Sequence, residues 1–78
     1  MTIVVEFFKE ENGKLVNPCG TEYTHVMDDI KTVRGAKNRI NRKGYCIPKY
    51  AVEYRIYATS NVMNEDSYRL LEKVNIER

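Results

Sequence analysis

Ile3, Val5 and Phe7 alternate with Val4, Glu6 and Phe8 at the two-residue period of a strand rich in β-branched and aromatic residues. Asn12-Gly13 follows, and because both residues tolerate positive φ the pair predicts a hairpin. A second strand then starts at Lys14-Leu15-Val16. Pro18 and Gly20 break it, so Asn17 to Gly20 reads as a loop or bulge, and Glu22 to Met27 as extended chain resuming.

The period then changes. Val33, Ala36 and Ile40 recur at helical spacing on one stripe, with Lys31, Arg34, Asn38 and Arg42 on the opposite side. Thr32 suits the N-cap, since its hydroxyl can accept an orphan amide proton of the first turn, and Gly44 stands where a left-handed glycine would end the helix. This spacing predicts about three turns between them; Asp28 or Asp29 as cap would make the helix longer. Gly35 costs about 1 kcal/mol relative to alanine in a helix interior, so the helix must lean on a sheet.

Ile47-Pro48 favours extended backbone, and Ala51 to Ala58 forms the clearest strand, with Val52, Tyr54 and Ile56 on one face and Glu53, Arg55 and Tyr57 on the other. Tyr68 to Ile76 fits two patterns. As a strand it sets Tyr68, Leu70, Val74 and Ile76 against Arg69, Lys73 and Asn75, with Glu72 out of phase; as a helix, capped by Asn64 or Asp66, it would turn Tyr68, Leu71 and Val74 inward. The strand is the better fit. The expected fold is α+β: an antiparallel sheet of about four strands in the order β-β-α-β-β, with one helix packed across one face.

Length and composition narrow the class. The 78 residues suffice for one domain, residues 1–78, and leave little room to carve a deep catalytic pocket. Hydrophobic residues at 42% against 31% charged support a core, which separates the chain from disordered ones. Two cysteines are too few for a disulfide scaffold, and no apolar run approaches the roughly 20 residues of a membrane span. Glu6 interrupts the first apolar run as a signal peptide would not, so the expected location is cytoplasmic, away from membranes.

Charge changes the picture more. Residues 1–30 carry Lys9 and Lys14 against Glu6, Glu10, Glu11, Glu22, Asp28 and Asp29, a balance of −4. Residues 31–49 carry Lys31, Arg34, Lys37, Arg39, Arg42, Lys43 and Lys49 with no acid, a balance of +7. The remainder, with Arg55, Arg69, Lys73 and Arg78 against Glu53, Glu65, Asp66, Glu72 and Glu77, stands at −1. An acid-free basic helix interspersed with Asn38, Asn41 and Tyr45 suits contact with phosphates or with an acidic protein surface; a solvated face balanced by the acidic first segment is the bland alternative. Tyr57 shares a face with Arg55, a usable contact pair, although tyrosines more often serve cross-strand packing. The expected contact residues are therefore Lys31, Arg34, Lys37, Asn38, Arg42, Lys43, Arg55 and Tyr57.

Catalytic and metal patterns are poor. Cys19, His25 and Cys46 are too few and too scattered for a structural zinc site. A Cys–His dyad built on His25 has no third group to orient it, and inert thiols are the default. Glu10-Glu11, Asp28-Asp29 and Glu65-Asp66 sit beside turns and caps, where carboxylates are expected on dipole and solvation grounds. No phosphate-cradling glycine loop or hydrolase elbow is present. The expectation is a binding protein that is not an enzyme and uses no cofactor.

An N-terminal hairpin, the run Thr32-Val33-Arg34-Gly35-Ala36-Lys37-Asn38-Arg39-Ile40 and a tyrosine-rich strand at Tyr54-Arg55-Ile56-Tyr57 together resemble the small early or accessory proteins of lytic bacteriophages, some anti-CRISPR proteins among them. The resemblance covers about residues 30–60 and carries over no site residues. It implies a non-enzymatic inhibitor of a host nuclease, polymerase or defence complex. The expected partner is a host protein or protein–nucleic acid assembly, and the chain itself is expected to be a monomer or homodimer. A basic helix departs from the acidic, DNA-mimicking members of that group. Direct DNA or RNA binding through the same helix with Arg55 and Tyr57 is the alternative.

Overall fold

The computed structural model describes residues 1–18 and 20–77. Its elements run β1 (Thr2–Glu11), β2 (Lys14–Val16), β3 (Thr24–Met27), α1 (Val33–Ile40), β4 (Ala51–Thr59) and β5 (Arg69–Asn75), with one 3-10 turn at Glu65–Ser67. All strand pairs are antiparallel, and one helix covers the sheet, as an α+β fold requires.

The sheet has five strands in four lanes. β1 pairs β4 along most of its length on one side; on the other it pairs β2 through Lys9–Glu11 and β3 through Ile3–Glu6. Thus β2 and β3 are two halves of one edge strand, interrupted where Pro18 and Gly20 stand. Asn17 fills the break: its Nδ2 donates to the carbonyls of Phe7 at 2.8 Å and Tyr23 at 3.1 Å. Asn17→Ala leaves the Phe7 carbonyl short of a donor, a loss of about 1–3 kcal/mol for a half-buried polar group. Urea melts are expected to show a lower midpoint at unchanged slope.

Local chemistry explains the turns. Asn12 at φ 53° and Gly13 at φ 80° both sit in the left-handed region, so the hairpin between Glu11 and Lys14 is the two-residue type with matching strand twist. Thr32 is the N-cap, its Oγ1 accepting from the Gly35 amide at 3.0 Å. The helix is shorter than its predicted three turns: it spans 8 residues and is capped at Asn41. Gly44, at φ 90°, belongs instead to the following turn, where the Tyr45 amide reaches the Arg42 carbonyl at 3.1 Å. The chain has to reverse there to return Tyr45 and Ile47 to the core.

The core lies between α1 and one sheet face. Ala36 and Ile40 of the helix, both buried, meet Ile3, Val5 and Phe7 of β1 and Tyr54, Ile56 and Ala58 of β4, with Val33 packed alongside. Two bulges shift the alternation. In β4 the pairing skips Val52, which is exposed, so Ala51 takes the core position assigned to Val52 by strict alternation. In β5 the pairing skips Leu71; Leu70 lies opposite Tyr57 on the outer face, whereas Glu72 lies opposite Ile56 on the helix face. The extra residue splits the expected apolar face: Leu70 turns outward, whereas Val74 stays on the helix face with Glu72, whose charge meets Lys37 there.

His25 closes one end of the core. Its ring stands 4.9 Å from Phe7 and 5.5 Å from Tyr45. Nε2 lies 2.9 Å from the Glu22 carbonyl, which can only accept, so Nε2 donates there, and Nδ1 lies 2.6 Å from the Tyr45 hydroxyl. Both ring nitrogens are therefore engaged by groups other than a thiol. Cys46 is exposed, and Cys19, the other candidate for a dyad, lies outside the described residues. Among the described residues no three His, Cys, Asp or Glu side chains gather as a metal would need, and no helix is long and apolar enough to cross a membrane.

Candidate interaction surfaces

The eight expected contact residues fall on two surfaces. Lys31, Arg34, Asn38, Arg42 and Lys43 are exposed on or beside the outer side of α1. Arg55 and Tyr57 lie opposite Glu6 and Val4 across the β1–β4 pair, on the sheet face turned away from the helix. One partner surface cannot engage both sets at once without wrapping the domain. The separation follows from parity: Tyr54 and Ile56 face the helix, so their neighbours face away.

Ion pairs divide the basic segment further. Lys37 reaches across to β5 and pairs with Glu72 at 2.6 Å. Arg39 makes a two-pronged contact with Asp29, one N–H···O distance being 2.9 Å. These contacts raise the pKa of Lys37 and of Arg39 and lower that of Asp29, the hydrogen bond being the first cause in each case. Lys31, Arg34, Arg42, Lys43 and Lys49 form no ion pair among the described residues. Lys37 is thus a strut between α1 and β5, and of the unpaired cations Arg34 lies on α1 beside Asn38 while Arg42 and Lys43 lie in the turn just beyond its Asn41 cap. Val33, Arg34, Lys37, Asn38, Asn41 and Glu72 line a shallow groove of about 360 Å³ along α1.

The opposite face is built differently. Arg55 pairs with Glu53 at 2.6 Å and its guanidinium lies over Phe8, 4.2 Å from the ring centre. This stacking shields Phe8 on the face that no helix covers. Tyr57 stands 5.6 Å from Tyr68, ring centre to ring centre, so both serve the fold by packing against each other. The Thr59 hydroxyl, fully buried, bonds Ser67 and the Asn61 carbonyl, and the Tyr68 hydroxyl donates to the Val62 carbonyl at 2.7 Å, which folds the 60–68 connection back against this face. Between that connection and β3 lies a groove of about 530 Å³ whose lining includes Glu6, Thr24, Val26, Met63, Glu65 and Tyr68.

Glu6 is half-buried in this groove. Burial first, and then the charge of Glu65, push its carboxyl above the ordinary value of 4.5, opposed by a hydrogen bond from Tyr57 and the charge of Arg55. Because the folded pKa exceeds the unfolded one, ionisation of Glu6 disfavours the fold at neutral pH, and that penalty disappears as pH falls through the raised value. Glu6→Gln keeps an acceptor for Tyr57 but cannot ionise. It is expected to melt at a higher temperature than the native chain at pH 7 and to lose the advantage by about pH 4, as paired thermal melts would read.

No protein-family model, curated protein or solved structure matches the chain. The class that fold and surfaces define is therefore a small α+β protein with two chemically distinct faces, one basic and helical, the other apolar and acidic.

Proposed function

We propose that the chain is a small non-enzymatic binding protein that seats the outer ridge of α1 on an acidic surface of a macromolecular partner, as an inhibitor of nucleic-acid-processing or defence machinery would. The observation that carries this reading is the partition of the basic segment. Lys37 and Arg39 are committed to Glu72 and Asp29, whereas Arg34, Arg42 and Lys43 stand exposed beside Asn38 without carboxylate partners among the described residues. Arg34 and Asn38 are held on a docked helix, oriented by the burial of Ala36 and Ile40, and with Arg42 and Lys43 in the turn that follows they offer a pattern of charge to a complementary surface.

An acidic protein surface is favoured over bare nucleic acid by the rest of the molecule. The second face carries Glu6, Glu53 and Glu65, and the formal net charge is only +2, so phosphate attraction is confined to one short ridge. Arg55 and Tyr57, which a nucleic-acid module would add, are on the wrong face and occupied by Glu53 and Tyr68.

The test is capture from bacterial lysate with the native chain and with Arg34→Glu/Arg42→Glu, with and without nuclease. A discrete protein that survives nuclease and is lost with the variant supports the proposal. Recovery of nucleic acid alone would make the chain a direct nucleic-acid binder, and equal capture by both forms would remove the helix from the interface.

A further inference from the structure

The groove between β3 and the 60–68 connection lies on the face away from α1 and has no part in the proposed ridge contact. Its walls are apolar: Val26, 46% exposed, and Met63, 91% exposed, line it together with Tyr68. Its charged groups are both acidic, Glu6 on the sheet floor and Glu65 on the 3-10 turn, beside the neutral Asn17, Thr21 and Thr24. Neither carboxylate forms an ion pair among the described residues, and the cation across the strand from Glu6, Arg55, is held by Glu53 over the Phe8 ring.

We infer that this groove receives a basic side chain, arginine or lysine, presented by a protein partner. Charge complementarity identifies the occupant. The aliphatic stem of arginine or lysine matches apolar walls while its head group seeks acceptors, and the groove supplies both within about 530 Å³, enough for one such side chain and part of its backbone. The Tyr68 ring adds an aromatic surface of the kind on which a guanidinium or ammonium group settles. Two neighbouring carboxylates, one half-buried, repel one another when the groove is empty. A cation between them relieves that repulsion, in keeping with the upward displacement of the Glu6 carboxyl by burial and by Glu65, against the pull of Tyr57 and Arg55.

The experiment is a nuclear magnetic resonance titration of the full chain at neutral pH with capped tripeptides, leucine at each end and arginine, lysine or glutamine in the centre, and with ethylguanidinium. The arginine and lysine peptides are expected to move the amide signals of Thr24, Val26 and the stretch from Met63 to Tyr68 in a saturable way, with affinity about ten-fold above the glutamine peptide, the size of one charge-assisted contact. Glu6→Gln/Glu65→Gln should remove that preference. Glu65→Gln alone, at an exposed position, should weaken it several-fold and serves if the double variant fails to fold. Affinity for the arginine peptide should also rise with pH as Glu6 ionises. Equal response to all three peptides, shifts centred elsewhere, or an undiminished preference in the variants would overturn the inference, as would ethylguanidinium binding as tightly as the peptide, which would make the groove a small-cation site. Arg34→Glu/Arg42→Glu should bind the arginine peptide normally, so failure of the ridge proposal and failure of this one are separable.

Discussion

Phe7→Ala is expected to remove a large share of the stability of this domain. Phe7 is fully buried at the centre of β1, its ring 4.9 Å from His25 and 5.6 Å from Tyr54. Truncation deletes the transfer energy of the ring and leaves a cavity beneath α1, a loss of about 3–5 kcal/mol in comparable cores. A chain of 78 residues has roughly 4–12 kcal/mol in total, so the loss takes from about a quarter of that stability to all of it. The tilted contacts with His25 and Tyr54 disappear too, and with them the packing that holds the His25–Tyr45 hydrogen bond. Phe7→Leu, which keeps most of the volume, should cost far less. Urea denaturation followed by circular dichroism and tyrosine emission checks both variants, the chain having no tryptophan and six tyrosines. A midpoint for Phe7→Ala close to that of the native chain would mean that the core is not centred on β1.

The parts of this fold that were legible in the sequence are those specified by neighbours. Asn12-Gly13 can be a two-residue hairpin with only its own dihedrals to consult, and Thr32 caps because its hydroxyl lies three residues from the amide it accepts. The stripe Val33–Ala36–Ile40 and the run Tyr54–Ile56 report directly which side is buried. What stayed hidden depends on distant residues. The split of the edge strand into β2 and β3 rests on Asn17 reaching Phe7, 10 residues away. The slip at Val52 is set by how β4 meets Lys9 of β1. The slip at Leu71, which turns Leu70 outward, left no local trace, and the polar Glu72 on the helix face is accounted for by distant Lys37.

The candidate surfaces divide in the same way. That Arg55 and Tyr57 point away from the helix was implicit in the parity of β4. That Lys37 would be drawn to Glu72 was not, because the partners are 35 residues apart and meet only when β5 pairs with β4. The acidic groove gave no local signal at all. Glu6 sits inside an apolar alternation as an ordinary outward residue, and its environment is made by Glu65 and Tyr68, brought back by a connection with no regular pattern.

Reversal of Arg34 and Arg42 should cost the partner complex about a hundred-fold or more in affinity while leaving the fold intact, because two attractive contacts become two repulsions at exposed positions. Lys37→Ala and Arg39→Ala provide the contrast. Those side chains serve exposed internal pairs, which contribute about 0–1 kcal/mol to stability, and they add little to an external contact already claimed by Glu72 and Asp29. A partner that merely sensed total positive charge would respond to all four positions alike. Salt separates the remaining choices: if Lys31, Arg34, Arg42, Lys43 and Lys49 all neutralised phosphates, log affinity would fall against log salt with a slope of roughly −4 to −5. A packed protein interface steered by three or four rim charges loses association rate in salt but keeps most of its affinity, so binding isotherms for these variants at two salt concentrations distinguish a ridge shaped for an acidic protein from a strip of charge that tracks a phosphate backbone.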